Sequence, residues 1–154
     1  MGAYYLDSSA LVKRYLQETG TGWITALTSP RSEQEIFIAL VTGAEVVAAV
    51  VRQARAGRLT IQDATAIVEA FKGHFEAQYR VVLTVPAIVR QAMELAERHG
   101  LRGYDAIQLA SALAVQQELT YYGAEPLVFV SADDELNRAA QAEGLRIENP
   151  NQHL

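Results

Sequence analysis

The sequence contains no cysteine. That absence excludes a disulfide framework, a thiolate zinc site and a cysteine nucleophile. Lysine is nearly missing as well: among 13 basic residues only Lys13 and Lys72 are lysines. The resulting arginine skew suits bidentate phosphate contacts, but arginine-rich proteomes produce it too, so it carries little weight. There are four prolines, and no Pro/Gly-rich linker, repeat or low-complexity tract divides the chain. The opening MGAYYLDSS lacks the basic and long apolar regions of a secretory leader. The longest nearly apolar stretch, Ile36 to Val51, is broken by Thr42, Gly43 and Glu45 and does not read as a membrane span. A cytoplasmic protein with no membrane association is the expectation.

What is present is an ordinary globular composition, half apolar and one-fifth charged over 154 residues. It fits one domain spanning residues 1–154. The net charge of −5 argues against a protein that holds nucleic acid by bulk basic charge. The informative question is where the carboxylates sit.

Short apolar runs alternate with helical periodicity along the chain. Ala3–Leu6 reads as a strand, followed by a helix carrying Leu11, Val12, Tyr15 and Leu16. Trp23, Ile24 and Leu27 mark a short helix closed by Ser29-Pro30. Glu35–Val41 reads as a buried strand, Gly43–Arg55 as a helix and Ile61–Phe75 as an amphipathic helix. A strand over Arg80–Thr84 precedes a helix opened by Pro86 and closed by His99-Gly100. Tyr104–Gln117 is helical, Leu127–Val130 a strand, Asp133–Glu143 a helix and Leu145–Ile147 a last strand. This alternation predicts an α/β fold in three layers, with a mainly parallel central sheet flanked by helices. In such folds ligands bind beyond the carboxyl ends of the strands.

Four acids occupy positions of that kind. Asp7 follows the first strand directly, where a helix N-cap is the ordinary explanation. Glu45 is the only charge between Glu35 and Arg52, in surroundings typical of a buried element. A lone buried carboxylate is costly unless paired or metal-bound. Asp105 is likewise the only charge between Arg102 and Glu118, at the head of a helix. At the exit of the Leu127–Val130 strand two acids compete. Ser131 as N-cap with Asp134 three residues on makes a capping box, which leaves Asp133 to face the strand end.

Each acid alone has a structural explanation; their joint placement is the signal. Four carboxylates without a histidine of ligand spacing describe an oxygen-only site for Mg²⁺ or Mn²⁺. His74, His99 and His153 read as surface residues. Two unit charges about 4 Å apart repel by roughly 4 kcal/mol at an effective dielectric near 20. Such a cluster therefore needs a cation, which would also serve to activate water for hydrolysis.

With these residues in view, the sequence resembles the PIN-domain nucleases, and within them the VapC-like toxins of toxin–antitoxin pairs. Leu6-Asp7-Ser8-Ser9-Ala10-Leu11-Val12-Lys13 looks like that family's first acidic motif, and Glu45 in Thr42-Gly43-Ala44-Glu45-Val46 occupies the place of its second. Leu101-Arg102-Gly103-Tyr104-Asp105-Ala106-Ile107-Gln108-Leu109-Ala110 resembles the third, and Ser131-Ala132-Asp133-Asp134-Glu135-Leu136 the fourth. The resemblance implies that Asp7, Glu45, Asp105 and Asp133 are metal-binding catalytic acids, with Ser8 or Ser131 orienting a carboxylate or a metal water. It implies an Mg²⁺- or Mn²⁺-dependent, single-strand-preferring endoribonuclease with an RNA substrate, leaving 5′-phosphate and 3′-hydroxyl ends, and a cognate antitoxin as partner. Lys13, Arg14 and Arg102 lie near the motifs as candidate RNA contacts, with a solvated surface charge the plainer explanation for Arg14. The Ile61–Phe75 helix either packs wholly inside the domain or offers part of its apolar face to a homodimer or an antitoxin helix.

Three other readings stand beside this one. The alternatives within the family are an RNA-processing nuclease outside a toxin system and a non-catalytic RNA- or partner-binding scaffold. A phosphotransferase forming an aspartyl-phosphate at Asp7 requires a lysine near a later strand end, and neither lysine is placed there. Assigning four of the 18 acids to one site leaves 14 against 13 bases. The acidity then describes a near-neutral shell around a concentrated acidic centre.

Overall fold

The computed structural model describes residues 1–154 and is built on five strands: β1 (Ala3–Leu6), β2 (Glu35–Ala39), β3 (Arg80–Val82), β4 (Val128–Val130) and β5 (Arg146–Glu148). All four pairings are parallel, in the order β3-β2-β1-β4-β5. The chain moves outward from β1 through β2 to β3, then crosses to β4 on the other side of β1. The strand order therefore reverses at β1, which is where parallel sheets open a crevice at their carboxyl ends. The register there is Leu6 opposite Val130, and the Asp7 amide donates to the Val130 carbonyl at 3.1 Å. This pairing alone brings Asp7 and Ser131 side by side.

Period-2 alternation splits the core in two. Tyr5, Phe129 and Leu127 pack with α5 (Pro86–His99), α6 (Gly103–Tyr121) and α7 (Asp134–Ala142) on one face. Leu6, Ile36, Ile38 and Val130 pack on the other face with α1 (Ser8–Leu11), α2 (Thr21–Thr28), α3 (Leu40–Arg55) and α4 (Ile61–Ala77). The result is the expected α/β arrangement of a sheet between helical layers, here wholly parallel. No helix is long and apolar enough to cross a membrane.

Local signals set several boundaries. Thr60 caps α4 by accepting from the Asp63 amide at 3.0 Å, Pro86 opens α5, and Gly100 closes it at φ 68°. Other boundaries differ from expectation. β2 ends at Ala39 and α3 starts directly after it at Leu40, rather than at Gly43. The run Ile36–Val41 is apolar in both states, so periodicity cannot place the change from strand to helix. Gly43 consequently lies inside α3, and a Cβ there would meet the Phe75 ring at 3.1 Å. Its bare backbone lets α4 pack closely against α3. The helix after β1 is also shorter than expected, four residues of α1 followed by a single 3-10 turn at Val12–Arg14.

Candidate active site

Asp7 is the best enclosed of the four acids, 3% exposed. Its Oδ1 accepts from the Ala10 amide at 2.9 Å and from Ser9 Oγ at 2.7 Å, and its Oδ2 from Ser131 Oγ at 2.6 Å. It is thus the N-cap of α1 and a buried carboxylate at the sheet end at once. Burial raises its pKa to about 6; the Ser131, Ser9 and Ala10 hydrogen bonds pull it down, and the Asp105 charge pushes it up. The hydrogen bonds favour the ionised form but do not offset its desolvation.

Glu45 lies in the second turn of α3, not the first, because the helix begins earlier than its sequence suggests. Ser8 Oγ donates to its Oε1 at 2.7 Å and Gln108 Nε2 donates to the same atom at 3.0 Å. Gln108 is buried in α6. It also donates to Thr42 Oγ1 at 2.9 Å and to Ser8 Oγ at 3.2 Å, while its Oε1 accepts from Tyr5 OH at 2.6 Å. A carboxylate only accepts, so Glu45 Oε1 fixes which way the Gln108 amide points and leaves its oxygen to accept from the Tyr5 hydroxyl. Burial, together with the charges of Asp7 and Glu45, pushes the Tyr5 pKa well above its ordinary value and keeps the hydroxyl protonated.

Asp105 sits in the first turn of α6 and accepts no hydrogen bond from the protein. Burial, then the charges of Asp133, Glu45 and Glu135, raise its pKa, against the lowering effect of the exposed Arg102. Asp133 reverses the expected division of labour at the β4 exit. It is itself the N-cap of α7, its Oδ1 accepting from the Glu135 amide at 2.9 Å and the Leu136 amide at 3.1 Å. Ser131 does not cap the helix; its hydroxyl goes to Asp7 and accepts from the Asp133 amide at 3.0 Å. Asp134 turns away to accept from Asn149 Nδ2 at 3.0 Å. The capping box failed because α7 starts at Asp134, which puts the cap one residue before it rather than three.

Three of these acids therefore occupy helix N-termini, where backbone N–H groups and the helix dipole offset part of their mutual repulsion. The N-cap explanation and the site explanation hold together. Residues that sequence reasoning missed are Gln108, Ser9, Tyr5 and Glu135. Gln108 had a signal: it is a polar residue in an otherwise apolar helical run, and buried polar groups require partners.

The basic candidates fare differently. Lys13 is buried, with Nζ 3.1 Å from Glu18 Oε1, and is not available to a substrate. Arg14 points inward, its Nη1 donating to Tyr79 OH at 2.6 Å and Gln78 Oε1 at 3.0 Å. Neither is the solvated charge that its sequence context suggested, because their partners come from distant or later segments. The histidines are half-buried rather than surface residues. His74 Nδ1 meets Tyr15 OH at 2.7 Å, His99 Nε2 meets Glu143 at 2.6 Å, and His153 stacks on Trp23 with centroids 4.3 Å apart.

The donor set is oxygen-only, and it carries surplus negative charge. Asp105 is unpartnered, as are Glu45 Oε2 and Asp133 Oδ2. No three His, Cys, Asp or Glu side chains close into a ready-made cage for a metal ion. Mg²⁺ retains several waters and is commonly held through one or two carboxylates, so this chemistry fits a hydrated hard cation.

A model of the family described as the PIN domain matches residues 4–142. The chain belongs to the PIN domain family. This PIN domain is 35% identical over 147 residues to two proteins of Mycobacterium tuberculosis strains, Ribonuclease VapC45 and Ribonuclease VapC49. Each alignment covers 96% of this chain and 95% of the relative. In structure it resembles PAE2754 from Pyrobaculum aerophilum, with a TM-score of 0.62, 23% identity, and 94% and 88% of the two chains covered. It also resembles VapBC2 from Rickettsia felis, solved with a DNA fragment from the promoter, at TM-score 0.60, 16% identity and 96% and 98% coverage. Mycobacterium tuberculosis VapC20, described as a Sarcin-Ricin loop cleaving toxin, matches at TM-score 0.60 and 16% identity over 92% and 95% of the chains. At these identities the structural likenesses speak for the fold.

Proposed function

We propose that this PIN domain is a metal-dependent endoribonuclease, the toxin of a toxin–antitoxin pair, acting in the cytoplasm as one domain over residues 1–154. The observation that carries this reading is the surplus of unpartnered carboxylate oxygen at the carboxyl end of β1 and β4, in a chain similar along its length to two ribonucleases. Asp7, Glu45, Asp105 and Asp133 are the residues that would hold Mg²⁺ or Mn²⁺, Asp7 and Asp105 most directly. When bound, the metal supplies neutralisation of the phosphate, a more acidic water and stabilisation of the leaving oxygen.

The chain's own groups then have distinct tasks. Ser9 and Ser131 hold the Asp7 carboxylate in one orientation. Ser8 and Gln108 bind Glu45 through Oε1, which leaves Oε2 directed by default to whatever enters the site. Cleavage yields 5′-phosphate and 3′-hydroxyl ends. The exposed Arg102, next to the Asp105 turn, is placed to meet an RNA phosphate.

For partners, an apolar groove of about 460 Å³ between α3 and α4, lined by Val47, Val51, Ala54, Ile61, Ala64 and Val68, supports an antitoxin helix as occupant. The exposed stripe Val85, Val89 and Met93 along α5 supports a homodimer. The catalytic reading is tested with the full chain and an end-labelled single-stranded RNA. Cleavage is expected with Mn²⁺ or Mg²⁺, none in EDTA, and a loss of about a hundredfold or more in Asp105→Asn. If the wild-type protein leaves RNA intact with either metal, the reading is wrong.

A further inference from the structure

Beside the acids lies a cavity to which cleavage assigns no task. Its volume is about 420 Å³, and Val41, Ala44, Glu45, Ala48, Arg52 and Tyr104 line it. The α3 residues recur at three- and four-residue steps and so form one helix face. Glu45 and Arg52, seven residues apart, are separated by about 10 Å along the axis. A carboxylate of the acidic centre and a guanidinium therefore stand apart along one helix face, with Ala48 between them and Val41 and Ala44 extending the apolar floor on the other side of Glu45. Tyr104 comes from the first turn of α6, immediately before Asp105.

Tyr104 is 62% exposed, and its hydroxyl makes no hydrogen bond. Arg52 is exposed and forms neither an ion pair nor a hydrogen bond, unlike Arg14, Arg80 and Arg98. Neither side chain is engaged in holding the fold together. An aromatic face, an apolar floor and an unpaired arginine in line with an acidic centre are the elements of a single-strand nucleic-acid contact.

We propose that this cavity is a subsite for one unpaired nucleobase of an RNA strand, flanking the phosphate at the acids. The base stacks on Tyr104 and covers Val41, Ala44 and Ala48, while Arg52 takes the next phosphate. Tyr104 and Glu45 line the same cavity, so a strand whose phosphate sits at the acids has Tyr104 beside it. A base still paired in a duplex has no free face to offer, so the subsite selects single strands. This inference rests on the nuclease reading above, and it assigns the single-strand preference expected of that nuclease to Tyr104 and Arg52.

The test measures equilibrium binding and cleavage of a fluorescein-labelled, mixed-sequence single-stranded RNA by the full-length protein, with binding read in a non-cleaving Asp7→Asn background. Tyr104→Ala is expected to weaken binding by about tenfold, and Tyr104→Phe to recover most of that loss, since stacking needs the ring and not the hydroxyl. An abasic site scanned through the RNA should reproduce the loss at one position and add little to Tyr104→Ala. Arg52→Ala should flatten the slope of log affinity against log salt by about 0.7, the value of one phosphate contact on a single strand. Tyr121→Ala, an exposed tyrosine at the far end of α6, is the control and should change nothing. If wild-type protein cleaves RNA while Tyr104→Ala binds and cleaves equally well, the subsite is refuted and the nuclease reading stands. If wild-type protein neither binds nor cleaves, both fall. If Tyr104→Ala spares RNA but loses a co-expressed protein partner, the cavity is a protein contact and the proposal is overturned.

Discussion

Two buried polar clusters in this molecule are built on opposite principles. On the α4 side of the sheet, Arg14 donates to Tyr79 and Gln78, Tyr15 meets both Tyr79 and His74, and Gln78 Nε2 donates to the Thr28 carbonyl. One cation is distributed over neutral acceptors, and no carboxylate enters. At the carboxyl end of β1 and β4 the clustered groups are carboxylates, with the exposed Arg102 beside Asp105, and Asp105, Glu45 Oε2 and Asp133 Oδ2 receive no hydrogen bond. The first cluster is closed and ties three segments together. The second is open, since its remaining oxygens have no structural use. A polar cluster with leftover capacity of a single sign is the mark of a site that awaits a ligand.

The largest expected effect that sharpens this contrast is a pH dependence. Asp7 has a folded pKa of about 6 against an ordinary 3.8, raised by burial. Below the lower value it is protonated in both states and contributes no pH dependence. Between the two values the native protein keeps a proton that the unfolded chain has released, so stability falls as pH rises. By pH 7 the loss is complete and on the order of 3 kcal/mol. Urea melts in EDTA should therefore show a midpoint that declines from pH 4.5 to 7, with Mn²⁺ restoring it at pH 7. Asp7→Asn should flatten the decline. Parallel pH profiles for wild type and Asp7→Asn would show that the acidic cluster is not strained.

How far the sequence discloses these two clusters differs in an instructive way. Asp7 and Asp105 stand out because strand exits and helix heads are local features, and both residues lie where their local signals put them. Asp133 was legible as a member of the acidic centre but not as the cap of α7, since Ser131 and Asp134 satisfied the same capping pattern. What decided between them was the Leu6–Val130 register, a non-local fact that draws the Ser131 hydroxyl to Asp7. The closed cluster was invisible for the same reason: Arg14 and Tyr15 reach Gln78 and Tyr79 more than sixty residues away. Strand and helix identities survived, whereas the β2–α3 boundary did not, because Ile36–Val41 suits either state.

Gln108 tests the open cluster at the next scale. Gln108→Leu keeps much of the volume but strands the Tyr5 hydroxyl and leaves Glu45 held by Ser8 alone. The expected cost is about 2 kcal/mol of stability, since a buried donor loses its acceptor. Cleavage should fall about tenfold, and Mn²⁺ affinity measured by titration calorimetry should fall in proportion. A variant that is less stable yet binds Mn²⁺ as tightly as wild type would confine Gln108 to packing. The comparison between clusters would then lose its clearest organising residue.

The smallest effect belongs to the closed cluster. Arg14→Leu removes two hydrogen bonds, leaving the buried Tyr79 OH to its partner Tyr15 and the half-buried Gln78 Oε1 to partial contact with water. A loss of about 1 kcal/mol in urea melts is expected, with cleavage per folded molecule unchanged. The same variant reports on electrostatics through His74, whose pKa is lowered first by burial and second by the Arg14 charge. Removing the arginine should raise the His74 titration midpoint in NMR but leave it below the ordinary value, because the burial remains. A histidine held neutral by its surroundings stabilises the fold above its unfolded midpoint and loses that contribution as pH falls. Arg14→Leu should therefore soften the loss of stability on the acid side, an effect opposite in sign to that of Asp7. A midpoint that does not move would mean that the guanidinium does not face His74 in solution, and that this cluster is less closed than its hydrogen bonds indicate.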